Sequence, residues 1–146
     1  MKHFLLATLL IVSSLVARAV SIDGVEVKFS NGPDEWSDPV EITLHSEWMR
    51  KRDQPAVKVQ VRVKVVRKIL RGCRYEIEFK NIDQNGIRFD ARNGNGNNKS
   101  MSVKLKPGEV KSGEMDSFLK GQPKNNQDCA ESAMNVSFHE IEGYKK

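Results

Sequence analysis

Long apolar runs are nearly absent from this chain. The one that exists, Phe4 to Val16, is broken by Thr8, Ser13 and Ser14. It falls short of the roughly 18 residues that a membrane-spanning helix needs, and no later run replaces it, so no membrane span is expected. Histidine and cysteine are scarce, at 3 and 2 residues, and no Cys-x-x-Cys pair occurs. That excludes a cysteine-dense scaffold and a closely spaced zinc site. His45 and His139 are not spaced as a ligand pair with either cysteine, so no metal and no cofactor is expected. Ser112-Gly113 and Ser117 lack the surroundings of a nucleophile elbow. After residue 20 no segment carries a convincing helical stripe of apolar residues.

What is present begins at the N-terminus. A short basic head (Lys2, His3), the apolar run and then Ala17-Arg18-Ala19 together have the layout of a secretory signal peptide. Residues 1–19 are therefore expected to be removed near Val20. Residues 20–146 then form one domain, secreted or periplasmic. Losing Lys2 and Arg18 lowers the basic count from 24 to 22 against 19 acidic residues, so the formal charge falls from +5 to +3. A charge that small, without a clustered basic face, does not point to nucleic acid.

Cys73 and Cys129 remain after cleavage. Export favours oxidation and an even count suits pairing, so a Cys73–Cys129 disulfide is expected. Chain entropy alone assigns roughly 4 kcal/mol to a bridge closing so long a loop. Cys129 is read as part of the Gly/Pro/Asn-rich link before the last strand.

The apolar period is two. From Val57 to Val65 valine takes every odd position and a polar residue every even one, the pattern of a strand with one wet face. Tyr75, Ile77 and Phe79 repeat it, and Cys73 shares their inward parity. Weaker alternations cover Val25–Phe29, Val40–Leu44, Ile87–Ala91, Met101–Leu105 and Met134–Phe138, with residues 115–119 as a short eighth strand. Turn chemistry separates them, as in Asn31-Gly32-Pro33, Asp83-Gln84-Asn85-Gly86 and Pro107-Gly108. Residues 45–56 are ambiguous, with one helical turn over His45–Arg52 closed by Pro55. The expected fold is all-β: an antiparallel β-sandwich of seven to eight strands, preferred over a barrel because nothing marks closure.

The strands at 57–66 and 73–80 should form a hairpin through Ile69-Leu70-Arg71-Gly72. Both apolar faces must lie on one side, so paired numbers sum to 140 or 142. A sum of 140 sets Lys64 against Glu76 and Arg62 against Glu78. The apparent basic stripe is then largely a charge-paired outer face. Arg67, Lys68 and Arg71 at the tip have no acidic neighbours in sequence and are the candidate polyanion contacts.

Other features read as structural. Asn93-Gly94-Asn95-Gly96-Asn97-Asn98 has no carboxylate and has Lys104 where a calcium loop needs Glu. It is read as a hairpin loop. His45 and His139 stand at outward positions. Trp36 shares the parity of Val40, Ile42 and Leu44 and is read as core. Trp48 with Met49 and Arg50-Lys51-Arg52 either contacts a partner, as Trp and Arg often do, or caps the end of the sandwich. The sequons at Asn98 and Asn135 matter only in a glycosylating source.

Glu76-Ile77-Glu78-Phe79-Lys80-Asn81, Asn85-Gly86-Ile87-Arg88-Phe89 and Val103-Lys104-Leu105-Lys106-Pro107-Gly108-Glu109 form a strand, N-x-G, strand, L-x-P-G-E cadence. It resembles bacterial extracellular immunoglobulin-like modules, including the cell-adhesion-related type. The cysteine pair and the Asn/Gly loop depart from that pattern. The resemblance implies a binding or structural role with no catalytic residues to carry over.

The expected function is therefore a non-enzymatic exported module. It binds a macromolecule, protein or polysaccharide, or serves a structural role at the cell surface or in the extracellular or periplasmic space. A second reading is a secreted polyanion-binding protein using the hairpin tip together with Arg50-Lys51-Arg52. A third is a secreted hydrolase or inhibitor whose site is assembled only in three dimensions.

Overall fold

The computed structural model describes residues 25–28, 32–46, 54–93, 97–119, 121–132 and 134–146, and only the backbone at 97–99. Its strands are β1 (Val25–Val27), β2 (Val40–Leu44), β3 (Val57–Ile69), β4 (Gly72–Asn81), β5 (Gly86–Asn93), β6 (Asn97–Leu105), β7 (Val110–Phe118) and β8 (Met134–Tyr144). They form two antiparallel sheets of four, ordered β1-β8-β5-β6 and β2-β3-β4-β7. The expected β-sandwich is the fold. Residues 1–19, read from sequence as a signal peptide, lie outside the described residues.

Period-two patterning decides the layering. Val57, Val59, Val61 and Val63 of β3 and Tyr75, Ile77 and Phe79 of β4 are fully buried. They meet Ile87, Phe89, Val103, Leu105, Met134, Val136 and Phe138 of the other sheet. Phe79 sits edge-on to Phe89 and Phe138, centroids 5.2 and 6.1 Å away, and Phe89 meets Phe138 at 5.3 Å. Each such pair contributes about 1 kcal/mol beyond the area it buries. The trio ties one sheet to the other at mid-core.

Asn81, at the end of β4, is fully buried yet satisfied. Its amide donates to the carbonyls of Asn85 and Leu105, and its own carbonyl accepts from Gly108 N–H. Asn81 thus holds the β4–β5 loop through its side chain and the Pro107-Gly108 turn, which carries the chain between sheets, through its main-chain carbonyl. Gly108 takes φ 75° there, a conformation that suits glycine. In the β4–β5 loop burial pushes the Asp83 carboxyl up, but N–H donors from Lys58, Asn85 and Gln84 outweigh it and hold it below its ordinary value.

Three expectations need correction. The segment before β8 holds a helix, α1 (Asn126–Glu131), and Cys129 is on it rather than in a loop. Asn125 caps it by accepting from Asp128 N–H at 3.0 Å. A six-residue helix is too short to show a stripe, so the sequence carried only its cap. Trp36 is half-buried on the outer face, under Arg62 and Lys64, whose charged groups lie 4.5 and 4.8 Å from its ring centroid. The buried position falls to Ser37, which exchanges hydrogen bonds with the Val63 backbone through its N–H and Oγ. The strand expected at residues 115–119 is β7, which reaches back to Val110 and ends at Phe118.

The Cys73–Cys129 disulfide is present, with Cα atoms 5.8 Å apart across a sequence separation of 56. Both cysteines are fully buried. Tyr75 Oη donates to the Cys129 carbonyl at 3.2 Å, and Asn126 Oδ1 accepts from Lys68 N–H at 2.8 Å. The helix is therefore fastened to both strands of the β3–β4 hairpin, close to its tip.

Candidate functional site

The β3–β4 register has the sum of 140: Val63 faces Ile77, Lys64 faces Glu76 and Arg62 faces Glu78. Arg62 Nε lies 2.7 Å from Glu78 Oε1, and Lys64 Nζ lies 3.3 Å from Glu76 Oε2. Arg74 forms a two-point pair with Asp116 of β7 at 2.7 and 3.1 Å. That contact raises the Arg74 guanidinium further, through the hydrogen bond first and the charge second. The middle of this face is charge-compensated.

The tip is different. A β-bulge between Val65 and Arg67 shifts the register, so Arg67 faces Arg74, Lys68 faces Cys73 and Ile69 faces Gly72. The extra residue rotates the following side chains. Arg67 and Ile69 consequently fall on the outer parity, beside Phe118, which pairs with Gly72. A Cβ at Gly72 would stand 2.1 Å from the Ser117 carbonyl oxygen, so only glycine lets β7 approach. Leu70 and Arg71 make the reversal. Leu70 is 78 % exposed, and Arg71 holds φ 66°, a left-handed conformation that costs a non-glycine residue about 1 kcal/mol. Leu119 N–H donates to the Arg71 carbonyl at 3.1 Å and supports the turn from beneath.

Arg67, Lys68 and Arg71 are exposed. Among the described residues no carboxylate forms an ion pair with any of them. A surface depression of about 230 Å³ lies alongside, lined by Lys68, Ile69, Leu70, Arg71, Gln122 and Pro123. The sequence named the three cations. It missed Leu70 and Phe118, although an apolar residue in a turn, where Gly, Asn and Asp dominate, was a readable signal.

Trp48, Arg50, Lys51 and Arg52 lie outside the described residues. Their segment joins Leu44 of β2 to Val57 of β3, and Ser46 at its start accepts from Gly143 N–H. Those anchors are at the far end of β3 from the tip, 13 strand residues or roughly 40 Å away.

The outer face of the other sheet brings Ser137, His139 and Asp90 near one another. Ser137 Oγ stands 2.9 Å from His139 Nε2, and Asp90 pairs across from His139. Ser137 Oγ also lies 3.3 Å from the Arg92 carbonyl, and which partner takes its proton follows from the His139 tautomer. Asp90 accepts from Ser102 Oγ at 2.8 Å. His45 is exposed on its own strand end. Asn93, placed by sequence in a loop, is buried at the end of β5 and donates to the Asp116 carbonyl at 2.8 Å. That bond covers part of the outer edge of β7, the last strand of its sheet. Among the described residues no group of three or more His, Cys, Asp or Glu side chains is placed to hold a metal. No described helix is long and apolar enough to cross a membrane.

No protein-family model matches the chain, and neither curated proteins nor solved structures yield a significant match.

Proposed function

We propose that this protein is an exported, non-enzymatic binding module whose contact surface is the β3–β4 hairpin tip and whose partner is anionic. One contrast carries the reading. Arg62, Lys64 and Arg74 are each matched to a carboxylate, whereas Arg67, Lys68 and Arg71, at the end of the same hairpin, have no carboxylate partner among the described residues. Uncompensated cations gathered at one hairpin end attract anions, so they favour a bound state more than the folded chain alone. Arg71 supports the same reading, since it occupies a backbone conformation that glycine would take more easily. Export is supported by the buried disulfide, a bond that persists in oxidising compartments. The immunoglobulin-like cadence agrees with a binding role.

Heparin–agarose chromatography tests the tip. The combined variant Arg67→Ser, Lys68→Ser, Arg71→Ser should elute at clearly lower salt than the parent, because fewer counterions are released on binding. A control of equal net charge, Lys104→Ser, Lys106→Ser, Lys111→Ser, should elute later than the tip variant. Equal elution of the two would refute a localised site. Intact mass of the exported protein should begin at or within three residues of Val20.

A further inference from the structure

The tip combines two kinds of group that charge alone does not require. Of the exposed large hydrophobics among the described residues, Val66, Leu70 and Phe118 are all at this end, and only Val110 is elsewhere. Val66 is the bulged residue, Leu70 the apex, and Phe118 the residue beside Gly72. They are interleaved with Arg67, Lys68 and Arg71.

We infer that the tip docks onto an anionic lipid bilayer surface. Leu70 and Phe118 enter the interfacial layer, and Arg67, Lys68 and Arg71 rest among the headgroups. This rests on the reading of the tip as the contact surface and names its partner.

The shape fits a bilayer better than a folded partner. A two-residue reversal is convex, and an apex carrying a leucine at 78 % exposure needs either a matching pocket or a surface that yields. Leucine is under-represented among the residues that dominate protein–protein binding, whereas Trp, Tyr and Arg lead. Among the described residues the tip carries neither Trp nor Tyr, so the flat polar-edged rings that suit sugars are lacking. Leu and Phe on an apolar ridge, flanked by Arg and Lys with long flexible stems, are the composition of interfacial membrane contacts. Near an anionic leaflet each cation is worth about 1 kcal/mol, or roughly fivefold in affinity.

Rigidity strengthens the case. Cys73–Cys129, the Lys68–Asn126 hydrogen bond and the Leu119–Arg71 hydrogen bond all converge on this hairpin end. The apex reaches a surface already ordered, so little conformational entropy is lost on docking. Two apolar side chains and three cations together give reversible attachment, short of a permanent anchor.

Co-sedimentation with phosphatidylcholine vesicles, with and without phosphatidylglycerol, tests the inference. Every variant carries the same N-terminal segment, so differences report the tip. The parent should sediment with the anionic vesicles and stay largely free with neutral ones. Leu70→Ser should weaken vesicle binding by at least roughly tenfold, the value of burying much of a leucine, and should shift heparin elution less than the triple tip variant does. Phe118→Ser is the second variant, and thermal melting of both confirms that they fold. If the parent is retained by heparin but ignores anionic vesicles, the lipid inference falls and the anionic-partner reading stands. Equal vesicle binding by parent and Leu70→Ser also overturns the inference. If neither vesicles nor heparin bind, both readings fall.

Discussion

Tyr75 Oη donates a 3.2 Å hydrogen bond to the carbonyl of Cys129, and the tyrosine ring is fully buried. A strand of one sheet thereby holds the helix that carries the other half of the disulfide. Burial pushes the Tyr75 phenol up to about 12 from 10.0. The neutral form is the folded form, so its contribution is complete below about pH 10 and is lost as the pH rises towards 12. Keeping the phenol neutral through that range is worth something on the order of 3 kcal/mol. Tyr75→Phe removes the hydrogen bond, at about 1 kcal/mol, and also removes the ionisation. Urea unfolding should therefore show the variant less stable than the parent at pH 8 and more stable at pH 12. Parallel curves across that range would mean that Tyr75 ionises as freely in the folded protein as in the unfolded one.

Val61 and Arg62 are chain neighbours on opposite faces of β3. Val61 is fully buried, and Arg62 lies on Trp36 and pairs with Glu78. Val61→Asp buries a carboxylate without a partner and should cost at least about 4 kcal/mol, enough to leave much of the chain unfolded. Arg62→Asp loses an ion pair and a cation–π contact and sets two carboxylates opposite each other, at about 1–2 kcal/mol. Thermal melting should separate the two widely. Similar melting temperatures would contradict the register.

Arg71→Gly should act in opposite directions on folding and on binding. The substitution relieves the left-handed backbone and should raise stability by about 0.5–1 kcal/mol. It also removes one tip cation and should lower the salt needed for elution from heparin–agarose. A gain in stability with unchanged elution would place the contact surface elsewhere.

Ser117 lies opposite Cys73 in the β4–β7 pairing, fully buried. Its Oγ is the buried side-chain polar atom, among the described residues, that has no hydrogen-bond partner. Ser117→Ala removes that unpaired group and should stabilise the fold by about 1 kcal/mol, or roughly 4 °C in melting temperature. A loss of stability on calorimetry would show that the hydroxyl is satisfied in solution.

Much of the sandwich is legible in the amino-acid sequence. Alternation in Val57–Val65 and Tyr75–Phe79 dictates both inward faces, because a strand repeats every two residues and a slip of one would bury Lys and Glu. The Lys64–Glu76 and Arg62–Glu78 pairs follow from that parity and a short turn. The Cys73–Cys129 bridge is what an even cysteine count leads one to expect in a chain read as exported. Other features depend on contacts between residues far apart in the chain. Trp36 has the parity of the core, yet the Ser37–Val63 hydrogen bonds and two cations hold it outside. Helix α1 has one turn and a half of local signal, and its place beside β3 and β4 comes from the disulfide, Tyr75 and Lys68. The tip cations could be named from sequence, but their setting could not. A bulge is one residue of irregularity with no composition of its own, and here it turns Arg67 and Ile69 onto the face that Gly72 leaves open for Phe118. Local pattern determines which residues are wet and which are dry. Which wet residues become neighbours is settled by sheet register and long-range pairing, since these join positions dozens of residues apart.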